Sequence, residues 1–212
     1  SSLGFFGGKN LTAHHLAIFD ALESGLRVNS DFSGPGFDAN GTINIYDITI
    51  NHCGCTGGTR GNSGDFWGNT QGALNIGSTN YYAIHNVMFN NITINNARSY
   101  GMFIRATNSN PLNNIALNNI SINGATMGIY FFGARGNATY CNLSFQNVDK
   151  NMNNIPSTFS WTQATDCQPP ISSGQGITHN NHAATDVHKF FRDGILYISV
   201  NGNTYDILGR KL

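Results

Sequence analysis

Val87-Met88-Phe89-Asn90-Asn91-Ile92-Thr93-Ile94-Asn95, followed after a short turn by Gly101-Met102-Phe103-Ile104, returns as Ile115-Ala116-Leu117-Asn118-Asn119-Ile120-Ser121-Ile122-Asn123 followed by Gly128-Ile129-Tyr130-Phe131. Short β-branched runs repeated at a period of about 28 residues mean one supersecondary unit stacked on the next. Within each run Ile92 and Ile94 turn to one face and Thr93 to the other, as a strand half buried against a core requires. Helix-length periodicity is absent.

A looser copy, Ile43-x-Ile45-x-x-Ile48-x-Ile50-Asn51, is closed by Gly72-Ala73-Leu74 after a long insertion. In an earlier one Leu11, Leu16 and Ile18 take the inward positions, Asp20 falls where Asn51, Asn95 and Asn123 fall later, and Gly25-Leu26-Arg27-Val28 closes the turn. The expected fold is all-β: a short right-handed parallel β-helix of about four to five coils. Each coil would bury five or six aliphatic side chains at roughly 1.5–3 kcal/mol apiece. An Asn at the same place in successive coils can stack its amide on the next for about 1 kcal/mol, so Asn51, Asn95 and Asn123 read as inward ladder residues. The Asn-Ile-Thr, Asn-Ile-Ser, Asn-Ala-Thr and Asn-Leu-Ser tripeptides match a glycan acceptor in form, but the repeat itself generates them.

The chain has 212 residues, 10% of them charged, a formal net charge of zero and a pI near 7.0. No electrostatic footprint for nucleic acid or an anionic membrane is present. Asn, Gly, Ser and Thr supply the polarity instead, which suits neutral ligands such as sugars. Fourteen Phe and the aliphatic repeats argue for a packed core rather than disorder. No stretch reaches the ~18 apolar residues of a membrane span, and the N-terminus lacks the basic start and apolar block of a signal peptide. The four cysteines are Cys53, Cys55, Cys141 and Cys167. In a chain of extracellular character a Cys141–Cys167 disulfide would pin the last coil. Cys53-x-Cys55 with His52 leaves open a disulfide, free thiols or a metal cluster, although no second pair stands at zinc-site spacing.

Three segments follow from the pattern: coils over 1–155, an irregular wrap and linker over 156–185, and a tail over 186–212. Pro156, Pro169-Pro170 and Ser172-Ser173-Gly174 mark the second; His179, His182 and His188 in or beside it need no metal to explain them. In the third, Asp193-Gly194 and Asn201-Gly202 separate alternating runs, the signature of a small β-meander. This ending resembles the C-terminal tails of secreted polysaccharide-degrading proteins of Gram-negative gut and rumen bacteria, which implies export or surface sorting.

In a β-helix the coils are scaffold and function lies in the turns and insertions. One insertion covers Asn29 to Asp38; the longest runs from His52 to Gln71 and carries Arg60, Asp65, Phe66 and Trp67. Glycoside hydrolysis needs two carboxylates across a cleft, with aromatic rings for the sugar faces. Asp20, Glu23 and Asp65 lie in turns on one side of the stack, while Asp31 and Asp38 follow the next strand. Asp20 or Glu23 with Asp65 is the favoured pair, and Asp31 is a further catalytic candidate. Trp67, Tyr81 and Tyr82 are candidate stacking platforms, with Arg60 and Arg105 as further substrate contacts. No cofactor or metal is expected.

Gly4-Phe5-Phe6-Gly7-Gly8-Lys9-Asn10, then Ser24-Gly25-Leu26-Arg27-Val28-Asn29-Ser30-Asp31-Phe32, Gly72-Ala73-Leu74 and Asn95-Asn96-x-x-Ser99-Tyr100-Gly101 together resemble the later coils of bacterial mycodextranase and α-1,3-glucanase catalytic domains, over roughly residues 1 to 165. The resemblance implies a secreted glycoside hydrolase, or a fragment of one, acting on α-1,3-glucan or a related polysaccharide. It departs at one point: the adjacent Asp-Asp pair of that family occurs nowhere in this sequence, and in the family it belongs to coils upstream. The alternatives are a non-catalytic glycan-binding or cell-surface β-helix and a polysaccharide lyase, in which a Ca²⁺ and an Arg or Lys base act beside a uronate. Ice binding would want a more regular outward Thr face. A first coil left open exposes apolar surface and strand edges, so Leu3, Phe5 and Phe6 are expected to meet a cap, a second copy or further chain.

Overall fold

In this computed structural model the described residues are 3–30, 33, 36–55, 71–78, 81–107 and 109–167, with the strand backbones of 187–192, 195–200 and 203–206. Asp31, Arg60, Asp65 and Trp67 lie outside them. The chain divides into two units, Ser1–Ile171 and Ser172–Leu212. In the second, Val187–Arg192, Ile195–Val200 and Asn203–Asp206 pair antiparallel in chain order.

The first unit is one curled sheet. Its strands are β1 (Leu3–Phe5), β2 (Leu11–Phe19), β3 (Leu26–Asn29), β4 (Ile43–Asn51), β5 (Leu74–Gly77), β6 (Ile84–Asn95), β7 (Tyr100–Arg105), β8 (Leu112–Phe132), β9 (Gly136–Met152) and β10 (Phe159–Gln163). All pairings between these strands are parallel: β2, β4, β6 and the first part of β8 form one file, and β1, β3, β5, β7 and the last part of β8 form the other. β8 belongs to both, and β9 continues both beyond it. This all-β, curled parallel arrangement is consistent with the β-helix read from the repeat.

Register follows the apolar pattern. Ile48 lies beside Ile92, Ile92 beside Ile120 and Ile120 beside Leu143; Ile50, Ile94, Ile122 and Phe145 form the next rung. Ile48, Ile50, Ile92, Ile94, Ile120 and Ile122 are buried, and on the opposite wall so are Leu26, Val28, Leu74, Ile76, Met102, Ile104 and Ile129. At roughly 1.5–3 kcal/mol per buried aliphatic side chain, these rungs are the main favourable contribution to folding.

Each strand of the first file bends midway at a residue with left-handed backbone: His15, Asp47, Asn91, Asn119 and Asn142, with φ of 54°, 55°, 54°, 54° and 54°. Asn, Asp and His tolerate that region better than β-branched residues do, which explains the polar residue that interrupts every aliphatic run. The bends are tied to one another: Asn91 Nδ2 donates to Asp47 Oδ1 at 2.9 Å and Asn142 Nδ2 to Asn119 Oδ1 at 2.9 Å.

The amide ladder is therefore not where the repeat suggested. Asn51, Asn95 and Asn123 are only half buried, because each follows an inward Ile and period-2 alternation must turn it outward. The closing strands open on glycine for a steric reason. A Cβ at Gly101 would come within 2.7 Å of Gly128 O and 2.6 Å of Ile122 Cγ2, and one at Gly128 within 2.5 Å of Asn151 O.

The two ends of the stack differ. At one, β10 pairs with β9, and Phe159 and Trp161 pack on Phe131, with Trp161 also stacked on Tyr140 at 4.9 Å. The expected Cys141–Cys167 disulfide is present there. At the other end Leu3, Phe5 and Phe6 are half buried, and the exposed apolar side chains are instead Leu16 at 39%, Phe19 at 57% and Leu22 at 73%. Among the described residues β2 has a strand partner, β4, on one edge only.

Candidate functional site

Period-2 alternation on β3, β5, β7 and the last part of β8 points every second side chain out of the stack. Register then sets these side chains in two outward files. Arg27, Asn75, Phe103 and Tyr130 form one, and Asn29, Gly77, Arg105 and Phe132 form the other. Asn29, Asn75, Phe103 and Arg105 are nonetheless buried, so the floor they make is covered over its first strands; Tyr130 is half buried and Phe132 is 50% exposed, so it opens at β8. Gln71, at the end of the long insertion, folds onto this floor: its Oε1 accepts from Ser24 Oγ at 3.1 Å and from Arg27 Nη2 at 2.7 Å.

The open end is a platform of neighbouring rings inclined to one another by 24° to 36°. Tyr100 and Tyr130 stack with centroids 4.6 Å apart and planes 30° apart; Phe132 lies 6.2 Å from Phe103 and 6.3 Å from Tyr130, inclined by 24° and 29°. Arg105 completes it, its Cζ 5.8 Å from the Phe132 centroid, a cation held against a ring face. Burial, and then the neighbouring Tyr130, push the Tyr100 hydroxyl above its ordinary range, so it stays protonated and able to donate.

Along one margin runs a ridge of turn residues that share left-handed backbone: Asp20, His52, Asn96 and Asn147, with φ between 49° and 54°. Here Asp20 Oδ1 lies 2.7 Å from His52 Nδ1, Arg98 Nη2 lies 3.9 Å from Asp20 Oδ1, and Arg98 Nε donates to the His52 carbonyl at 3.0 Å. Asp20 is 72% exposed and His52 52%. Beneath them Cys53 is a buried free thiol that accepts from the Ala21 N–H at 3.4 Å, and burial raises its pKa. Cys55 is also free. Among the described residues no three His, Cys, Asp or Glu converge as a metal set.

The sequence candidates distribute unevenly over this site. Asp20 stands on the ridge with imidazole and guanidinium partners, and the Glu23 carbonyl accepts from Gly54 N at 2.6 Å on the same side. The pairing of either with Asp65 lies outside the described residues, as do the roles of Asp31, Arg60 and Trp67. Tyr81 and Tyr82 follow β5 and belong to the opposite margin. The Tyr82 ring seats on Gly36, where a Cβ would approach to 2.8 Å, so Tyr82 pins that loop; Tyr81 is exposed. Arg105 is on the floor. Sequence reading missed Phe103, Tyr130 and Phe132, whose signal was present: they occupy the outward alternate positions of the two closing strands.

No family model matches the sequence, and no curated protein matches it in sequence. Solved structures do. A catalytic domain described as that of Agl-KA matches at 27% identity and a TM-score of 0.60, covering 76% of this chain and 29% of that one. The fold is shared with glucanase catalytic domains. A GH87 α-1,3-glucanase catalytic domain in complex with nigerose matches at 21% identity and a TM-score of 0.62, and a variant of such a domain in complex with tetrasaccharides at 22% and 0.63. Each of these two matches covers 75% of this chain and 32% of the other. The chain thus spans about a third or less of the length of the structures it matches.

Proposed function

We propose that this chain binds an α-1,3-glucan-like polysaccharide where the outward floor opens, at Tyr100, Tyr130 and Phe132, as the substrate-holding part of a glycoside hydrolase of the α-1,3-glucanase kind. One observation carries the reading: the ring platform of Tyr100, Phe103, Tyr130 and Phe132, backed by Arg105, opens to solvent at β8. Pyranose rings present apolar C–H faces that stack on aromatic rings, while the Tyr100 hydroxyl supplies a donor to their oxygens. The neutral composition and the likeness to oligosaccharide-bound catalytic domains agree with it. The test is calorimetric titration with an α-1,3-linked glucose oligosaccharide. Tyr130→Ala and Phe132→Ala should each weaken binding about 2- to 12-fold, the equivalent of about 0.5–1.5 kcal/mol for a ring contact. Absence of binding by the unaltered chain ends the reading.

A second reading is hydrolysis by this chain itself, through Asp20 with Asp65 from the long insertion. It is favoured by the exposure of Asp20 on the ridge beside the floor. Reducing-sugar release from α-1,3-glucan that falls by orders of magnitude in both Asp20→Asn and Asp65→Asn supports it; release unchanged in either variant removes that residue from the chemistry. Export to an oxidising compartment or the cell surface is the proposed location, supported by the disulfide and by the tail. A reporter fused to residues 186–212 that remains in the cytoplasm would contradict a sorting role.

A further inference from the structure

We propose that a second face, formed by residues 91–95, 119–123 and 142–146, is a separate binding surface for a neutral polysaccharide chain laid across the strands. The surface is built in register. The bends give Asn91, Asn119 and Asn142; two residues on, the outward positions are Thr93, Ser121 and Ser144; two further on they are Asn95, Asn123 and Gln146. Nine adjoining positions on three strands thus carry only amides and hydroxyls. One strand earlier Thr49 and Asn51 continue two of the rows, and on β2 the pattern ends at Ala17 and Phe19.

The side chains between these positions point inward and are largely buried, Ile92, Ile94, Ile120 and Ile122 among them. That burial fixes the outward groups as a grid, with strands about 4.8 Å apart and outward neighbours about 6.7 Å apart along each strand. A shallow open depression of about 440 Å³ lies on the grid, lined by Asn119, Ile120, Ser121, Asn142, Leu143 and Ser144. Cys167 Sγ lies 3.5 Å from Asn119 Oδ1, so the segment tied down by the disulfide borders it. Asn119 and Asn142 are held by their mutual hydrogen bond.

The chemistry selects the ligand class. Hydroxyls and amides each both donate and accept, and so do sugar hydroxyls. The nine positions carry no cation to pair with a phosphate or uronate, the Asp47 carboxylate bonded to Asn91 at their edge would repel such anions, and an open, shallow depression does not enclose a small apolar molecule. The strand spacing is close to the length of one pyranose unit, so a chain running across the strands meets one strand's outward groups per sugar. That the sugar is an α-1,3-linked glucan rests on the function proposed above; the surface itself does not, since it uses a different part of the sheet and no residue of the ring platform.

The experiment separates the two faces. The full chain is tested for retention on insoluble α-1,3-glucan and, by calorimetry, for binding of a short soluble α-1,3-linked oligosaccharide. Thr93→Lys with Ser121→Lys, both outward on the surface, should lower retention on the polymer about tenfold, the equivalent of losing one or two hydrogen bonds, and leave oligosaccharide affinity unchanged. That unchanged affinity also reports an intact fold. The milder pair Thr93→Val with Ser121→Ala should lower retention in the same direction. Tyr130→Ala should show the reverse, with weakened oligosaccharide binding and polymer retention still sensitive to the lysine pair. If the unaltered chain binds no oligosaccharide but retains lysine-sensitive polymer binding, the platform reading fails and this one stands. Polymer retention equal to that of the unaltered chain in both grid variants overturns the proposal, as does inhibition of ice growth by a chain that does not bind the polymer.

Discussion

Ile94→Ala is the sharpest probe of the stacked rungs. Ile94 is fully buried, in register with Ile50 on one side and Ile122 on the other, so its loss leaves a void that neighbouring rungs cannot close without leaving their own register. Truncating a buried Ile to Ala costs about 2–5 kcal/mol, the upper part of the range applying where collapse is restricted. For a unit of this size each kcal/mol lowers Tm by about 2–4 °C, so a fall on the order of 10 °C is expected. Thr93→Ala, one residue away but outward, should change stability by less than about 0.5 kcal/mol. Both are read by thermal and urea denaturation followed by far-ultraviolet circular dichroism. Equal losses for the two variants, or a larger loss for Thr93→Ala, would falsify the assignment of faces on which every outward residue discussed above depends.

Removing the disulfide by Cys141→Ser with Cys167→Ser, at a sequence separation of 26, should cost about 3.5 kcal/mol by the chain-entropy relation; a urea midpoint unchanged by reducing agent would contradict it. Stability should also fall at alkaline pH. Cys53 and Tyr100 have folded pKa values raised above 9.0 and 10.0 respectively, mainly by burial. The unfolded chain therefore ionises first, and the stability present below about pH 9 is lost as pH rises through the folded values. Cys53→Ala should flatten the onset of that decline, and an identical pH profile would exclude the thiol. At the open end of the stack, Phe19→Ser with Leu22→Lys should leave thermal stability within about 0.5 kcal/mol if those side chains are free in solution. A marked loss accompanied by a shift to smaller mass in scattering would show instead that they lie in an interface.

The rungs were legible because burial imposes parity. Ile92, Ile94, Ile120 and Ile122 alternate with polar residues, and a slip of one residue would expose them all. The bends were half legible: Asn and Asp interrupt each run, but their reason, left-handed backbone at a strand corner, is a dihedral property that hydropathy does not carry. The same corners account for the acceptor-like tripeptides. Asn119-Ile120-Ser121 is a bend residue, an inward rung and an outward hydroxyl, three structural positions in sequence order. The misplacement of Asn51, Asn95 and Asn123 came from reading repetition as burial, where parity alone would have turned them out. The ring platform was overlooked for the opposite reason: Phe103 and Phe132 sit in strands that look apolar throughout, and only counting from the buried Met102 and Ile129 shows which residues leave the core. The Asp20, His52 and Arg98 cluster could not be read from spacing, because residues 32 and 46 positions apart meet only through the register of the stack.

The most direct measurement is a crystal structure of the chain soaked with an α-1,3-linked glucose tetrasaccharide. Density for sugar rings is expected against Tyr130 and Phe132, with an oxygen within hydrogen-bond reach of the Tyr100 hydroxyl. An oligosaccharide bound elsewhere on the molecule while that platform stays bare would contradict the proposed site.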